Sequence, residues 1–163
     1  MSEAFPGDAP AIARLRNMVA DHLTSRHGKG HWSYYTSDKS VLYGMKGNSK
    51  VLITKHQGKI VGTLRLATKK PWAIDVSYFT KVQQALYLLD MAIHPDFQRK
   101  GIGTKMIKAV TPLAVDWPAD SIRLDSYDTE AGAGEFYRKC GFDEVGQVIY
   151  KDTPLIYFEM LIG

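Results

Sequence analysis

The sequence predicts an α/β (α+β) domain built on a mixed, largely antiparallel central sheet flanked by helices. Three observations carry that expectation. Apolar residues at helical spacing alternate with β-rich runs, hairpin signals stand at both ends of the chain, and one strand-like run passes through a glycine-containing turn into an amphipathic helix. A length of 163 residues, 45% apolar and 23% charged, is that of one ordinary globular domain, so a single domain over 1–163 is expected.

After Asp8-Ala9-Pro10, the positions Ile12, Leu15, Met18 or Val19 and Leu23 recur at helical spacing until Gly28 and Gly30, which predicts a first helix from Ala9. A shorter helix is expected over 38–45, stopped by Gly47-Asn48. Residues 51–56 and 59–68 read as the two strands of a hairpin joined by Gln57-Gly58, and Pro71 closes the second. Residues 70–85 follow no period. Trp72, Tyr78 and Phe79, with Asp75 among them, give this loop more aromatic surface than a plain linker needs, which suits it to shape a pocket and marks Trp72 and Asp75 as substrate-side candidates. Residues 86–93 form the next strand, ending at His94-Pro95. Beyond the following turn, Ile102, Met106, Ile107, Val110, Leu113, Ala114 and Trp117 mark one helix face. Pro112 offers no donor to the carbonyl of Lys108, so a kink or an early end is expected there. Residues 121–125 read as a strand, 131–139 as a helix ended by Gly141, and 145–150 and 155–160 as two closing strands.

The run Gln98-Arg99-Lys100-Gly101-Ile102-Gly103-Thr104 lies between the strand at 86–93 and the helix that follows it. It reads as an anion-binding turn, since glycines let the backbone approach a ligand and a helix start offers free N–H groups and the positive dipole end. A P-loop needs four residues between its glycines followed by Lys-Ser or Lys-Thr, and the dinucleotide fingerprint needs a third glycine where Met106 stands; neither fits. The net charge of +4 is scattered along the chain, but Arg99, Lys100, Lys105 and Lys108 gather at the turn. That distribution favours local binding of a phosphate group over binding of nucleic acid.

With Gln98 first, Gly101 fourth and Gly103 sixth, the turn resembles the acetyl-coenzyme A signature Q/R-x-x-G-x-G/A of the GNAT acetyltransferases. The run from Leu86 to Pro95 resembles the fourth strand of that family and its His-Pro turn. Phe136-Tyr137-Arg138-Lys139-Cys140-Gly141-Phe142 resembles its F/L-Y-x-x-x-G-F element. The resemblance implies a fold with parallel, splayed fourth and fifth strands. It implies acetyl-CoA as co-substrate, held by the backbone of Met91, Ala92 and Ile93 and by residues 98–104, and transfer of the acetyl group to a primary amine of a small-molecule or amino-acid-like acceptor by direct attack in a ternary complex. A protein or peptide acceptor, or a module that binds acetyl-CoA without catalysis, are the alternatives. The chain departs from the family at its start, where only Met1 to Pro6 are left for the usual first strand, and at Glu130, where many relatives carry Asn.

Such a transfer needs a neutral amine, donors for the developing oxyanion and a proton for the departing thiolate. The resemblance places Tyr137 as the acid, and a phenol of pKa about 10 keeps its proton at neutral pH; the other reading is that its ring packs beside Phe136 and Phe142. Asp90, on the implied fourth strand, is the base candidate. Asp75, Asp125, Asp128 and Glu130 lie in segments that could border the acceptor, Asp125 joining Trp72 and Asp75 as a substrate-side candidate. Some relatives carry Glu where this chain has Leu89, and its lack leaves deprotonation through water open. Cys140 is the only cysteine, which excludes an intrachain disulfide and reads as a small apolar filler. The five histidines show no metal-ligand spacing, so no metal is expected. Trp32, Tyr34 and Tyr35 either line an acceptor pocket or cover the core. The N-terminal residues lack the basic and apolar regions of a signal peptide, and no apolar run nears the roughly 20 residues of a membrane span, so a cytoplasmic protein without nucleic-acid or membrane partners is expected. A homodimer is expected only by analogy with relatives.

Overall fold

The helical spacing after Asp8 becomes α1 (Ala9–His27) in the computed structural model, which describes residues 1–163. The helix stops where Gly28 takes φ 78° and donates its N–H to the carbonyl of Thr24. A second helix, α2 (Asp38–Tyr43), begins at Ser37, whose hydroxyl accepts from the Ser40 N–H, and ends two residues sooner than the sequence suggests. The first strand, β1 (Ser2–Glu3), is present but only two residues long, and pairs antiparallel with β2 (Ser49–His56). Gln57 at φ 50° and Gly58 at φ 78° form the tight turn into β3 (Lys59–Ala67). No regular strand or helix longer than a single 3₁₀ turn interrupts 68–84, as the missing period implies.

Four further elements complete the expected alternation: β4 (Ala85–Ile93), α3 (Ile102–Asp116), β5 (Ser121–Tyr127) and α4 (Gly134–Lys139). The closing hairpin is β6 (Asp143–Tyr150) and β7 (Thr153–Leu161), turned by Lys151 and Asp152, both at positive φ. The helix α3 runs through Pro112 to Asp116, so the early end expected there does not occur. Its mainly apolar face, with Met106, Ile107, Val110 and Ala114 buried, holds the helix past the missing donor. The helix α4 starts three residues later than its sequence pattern suggests.

The strand order is β1-β2-β3-β4-β5-β7-β6, with β4 and β5 parallel and the recorded pairs β1/β2, β2/β3, β5/β7 and β6/β7 antiparallel. The β4/β5 register covers only Ala85–Tyr87 against Ser121–Arg123, three pairs from strands of nine and seven residues. The chain forms two compact units, Met1–Ala67 with Leu89–Met106, and Thr68–Leu88 with Ile107–Gly163; the boundary cuts through β4 and α3. In the first unit, Ile12, Ala13, Val41, Val51 and Ile53 bury against one another. In the second, Ile122 and Leu124 of β5 and Tyr157 and Phe158 of β7 are almost wholly buried. No helix is long and apolar enough to cross a membrane.

Phe158 has no exposed surface, whereas Ile149 is 77% exposed. Phe158→Ala is expected to lower the free energy of unfolding by about 3–5 kcal/mol through lost transfer and a residual cavity, and Ile149→Ala to change it by less than about 0.5 kcal/mol. Urea unfolding of the two variants checks both.

Candidate active site

Three groups of residues bear chemistry, two in the first unit and one in the second. The first is the turn after β4. A single 3₁₀ turn, Pro95–Phe97, follows His94, whose Nδ1 accepts from the Asp96 N–H at 3.1 Å. Gln98 then folds back and donates its side-chain amide to the carbonyl of Ile93 at 3.0 Å. Arg99 (φ 61°) and Gly101 (φ 84°) both take the left-handed conformation, which turns the chain into the first turn of α3, where the Lys105 N–H reaches the Gly101 carbonyl at 3.1 Å. The sequence assigns unusual backbone freedom to both glycines, yet Gly103 is a helical residue without positive φ; Arg99 shares the role with Gly101 instead. A Cβ at Gly101 would meet nothing within 4 Å, so the space above the turn is open. Arg99, Lys100 and Lys105 are exposed around it, with the Lys100 ammonium 5.5 Å from the centre of the Phe97 ring. The upstream Met91, Ala92 and Ile93 form the last turn-ward residues of β4, and Ala92 is buried.

The second group surrounds Asp90. This residue takes φ 56° inside β4, an uncommon conformation that Asp tolerates better than most residues. One carboxylate oxygen meets Nη2 of Arg16 from α1 at 3.3 Å, and the other accepts from Nε of Arg65 on β3 at 2.9 Å. With both oxygens on guanidinium groups, the geometry makes Asp90 a charge partner. These three side chains border a small, solvent-open cleft. Neither arginine belongs to a motif. What distinguishes Arg65 in the sequence is only that a cation interrupts the apolar run Val61-Gly62-Thr63-Leu64-Arg65-Leu66 of a strand.

The third group lies in the second unit. Across the β5/β7 register, Arg123 faces Glu159, Asp125 faces Tyr157 and Tyr127 faces Leu155, so these side chains share one face of the sheet. The aromatic loop is bound to that face. The Tyr157 hydroxyl accepts from the Asp75 N–H at 3.2 Å and donates to the Ala73 carbonyl. Glu159, 6% exposed, accepts from the N–H and the hydroxyl of Thr80 at 3.1 and 2.6 Å. Arg123 donates to the Thr80 carbonyl and the Tyr87 hydroxyl at 2.8 and 3.1 Å, while its Nε finds no partner. The Phe79 ring lies 5.0 Å from the guanidinium. Sequence reading does not find Arg123, Tyr157 or Glu159. The available signal is that Glu159 interrupts the apolar run Leu155–Leu161 and that Arg123 stands between Ile122 and Leu124.

Of the substrate-side candidates, Trp72 is 88% exposed at the outer edge of the loop. Asp75 is exposed and caps the 3₁₀ turn Val76–Tyr78, where hydrogen bonds from Ser77 hold its carboxyl below the usual range. Asp125 is half-buried on β5, and its charge helps to push up the phenols of Tyr127, Tyr137 and Tyr157. Tyr137 is buried in α4 with its ring 5.2 Å from that of Phe136, 5.8 Å from Phe142 and 6.0 Å from Phe158. Burial is the main force raising its pKa, followed by Asp125 and Cys140, so the phenol keeps its proton far into the alkaline range. Glu130 is exposed, as are Tyr34 and Tyr35, which therefore do not cover the core; Trp32 is half-buried and donates its indole N–H to Gly28. No cluster of His, Cys, Asp and Glu able to hold a metal is present.

A family model described as the acetyltransferase (GNAT) family matches residues 15–142. A thialysine N-epsilon-acetyltransferase of Bos taurus is 32% identical over 69 residues, 42% of this chain and 41% of that protein. A glucosamine 6-phosphate N-acetyltransferase of Schizosaccharomyces pombe is 35% identical over 60 residues, 37% of this chain and 51% of that protein. The chain thus spans about two fifths to one half of the length of these curated relatives. The solved structure of yncA from Salmonella typhimurium, determined with acetyl-CoA, shares the fold at a TM-score of 0.73 and 15% identity, covering 99% of this chain and 92% of that one.

Two outcomes are expected from this geometry. Thr80→Val, which removes one of the donors to buried Glu159, lowers the free energy of unfolding by about 1–3 kcal/mol and speeds amide exchange at residues 76–80. Tyr137 stabilises the folded state while its phenol stays protonated, in full below the unfolded pKa of about 10, and that contribution is lost as pH rises toward the raised folded value. In an alkaline absorbance titration, Tyr137→Phe removes a phenol that ionises after the ordinary tyrosines.

Proposed function

This chain belongs to the acetyltransferase (GNAT) family, and on that premise we propose that it transfers the acetyl group of acetyl-CoA to a primary amine of a small-molecule acceptor. The turn at 98–104 is the observation that carries this reading. Its left-handed Arg99 and Gly101, the open space above Gly101, the start of α3 and the cations Arg99, Lys100 and Lys105 fit an anionic pyrophosphate. Acetyl-CoA supplies the activated acetyl thioester. Gln98, Arg99, Lys100, Gly101, Ile102, Gly103 and Thr104 hold its phosphates, and the backbone of Met91, Ala92 and Ile93 orients the acyl end. The relatives named for thialysine and glucosamine 6-phosphate support a small amine as acceptor.

In the transfer, the amine nitrogen forms a bond to the acetyl carbon, the carbon–sulfur bond breaks, the sulfur takes a proton and the amine gives one up. Tyr137 is the proton donor in this proposal, and its raised pKa keeps the phenol protonated at neutral pH and so able to donate to the departing sulfur. Asp90 positions arginines, and the amine loses its proton to water. Asp125, with Trp72 and Asp75 of the loop, borders the acceptor.

Calorimetric titration of acetyl-CoA into the wild type and Gly103→Glu tests the reading, with binding expected in the first and lost in the second. Tyr137→Phe is expected to lower kcat by about 10²–10⁴ while leaving coenzyme affinity nearly unchanged, measured by thiol release over an amine panel. A wild type that binds no acetyl-CoA overturns the proposal.

A further inference from the structure

We propose that Arg16, Asp90 and Arg65 form a subsite for an anionic group, a carboxylate or a phosphate, carried by the amine acceptor; this rests on the transferase reading above. One carboxylate stands between two guanidinium groups, so the cluster keeps an unbalanced positive charge. Two arginines bring ten N–H donors, and Asp90 is the only ionic or hydrogen-bonding partner of either side chain. A staple between β4 and its neighbours needs one arginine. A second, brought from α1 to the same carboxylate, leaves a pair of forks suited to bidentate recognition of an anion.

The surroundings support a ligand. The side chains of Arg16 and Arg65 are each 27% exposed and that of Asp90 is 31% exposed, so the charges are partly desolvated yet within reach. The small cleft that they border is also lined by Ile12, Val41, Val51 and Leu64, so carbon next to the anion would meet apolar side chains. Gly44, at the end of α2, also lines it. A Cβ there would stand 2.8 Å from Cδ of Arg65, although the backbone at φ −67° accepts any residue; the absent side chain leaves room for the arginine. Asp90 directly precedes Met91, the first of the residues proposed to orient the acyl end, so the subsite and the reacting end are adjacent along β4.

The test uses matched amines that differ by the anion: L-lysine against cadaverine, and glucosamine 6-phosphate against glucosamine. Binding is measured by calorimetry in the presence of coenzyme A, and turnover by thiol release from acetyl-CoA, for the wild type, Arg16→Gln, Arg65→Gln and Gly44→Ala. The wild type is expected to prefer the anion-bearing member of one pair by roughly tenfold or more, the scale of a charge-assisted hydrogen bond, and the pair showing the preference separates carboxylate from phosphate. Each arginine variant reduces that ratio, and Gly44→Ala does so with the charges retained. Because the readout is a ratio, partial loss of folded protein affects both members alike. Equal binding of both members by the wild type, binding of neither, or a preference that survives both arginine variants overturns the subsite. Arginine-dependent anion preference in binding without thiol release from any amine upholds the subsite and overturns the transferase reading, whereas turnover without anion preference does the reverse.

Discussion

A single left-handed residue in the middle of β4 is the constraint on which the rest of the structure depends. Before Asp90, the strand pairs in parallel with β5; after it, the strand leads through His94 into the turn that starts α3. A non-glycine residue in this conformation costs about 1–3 kcal/mol. Two partly exposed ion pairs offset at most about 1 kcal/mol each. Leu88 and Ala92 on either side are buried, so packing as well as the arginines holds Asp90 in this conformation. The residues best able to report this conformation are thus charged and partly exposed, a combination that also suits them to contact a ligand.

The proton-donor assignment depends on a balance of environments. Tyr137 sits among aromatic rings, and desolvation outweighs every other influence on its phenol. A buried phenol holds its proton at neutral pH and so remains a donor, but the same desolvation makes it a weaker acid than a free tyrosine. Ring packing, which competes with proton donation as a reading of the sequence, therefore keeps the donor protonated but raises the cost of releasing its proton. The carboxyl of Asp75 is displaced the opposite way by Ser77, which suits the capping of a turn better than taking a proton from an amine.

The elements with strong local signals were legible from residues alone. The helix α1, the β2/β3 hairpin with Gln57-Gly58 and the turn into α3 each carry their information within a few positions. Signals failed where tertiary packing decided the outcome. Pro112 removes one hydrogen bond, but four buried side chains on the inner face keep α3 intact, and the two-residue β1 exists because β2 offers an edge to pair with. The turn at 98–104 could be read as a motif because its residues are contiguous, although only Gly101 of its two glycines takes a conformation that favours glycine. The Arg16, Asp90 and Arg65 cluster could not, since its members come from α1, β4 and β3 and meet only through the fold.

The same distinction explains the clamp beneath the aromatic loop. Burying Arg123 and Glu159 adds little net stability, because the desolvation of each charge consumes most of what its hydrogen bonds return, and apolar residues of similar volume would serve the core as well. What apolar residues would not supply is direction. Glu159 accepts from both the N–H and the hydroxyl of Thr80, Arg123 donates to its carbonyl, and the Tyr157 hydroxyl engages Ala73 and Asp75. Each bond fixes a particular backbone atom of a segment without regular structure of its own. Such a network suits a loop whose position matters more than its stability, and it places Asp75 and Trp72 on a segment whose flanking backbone is held by buried groups of the sheet.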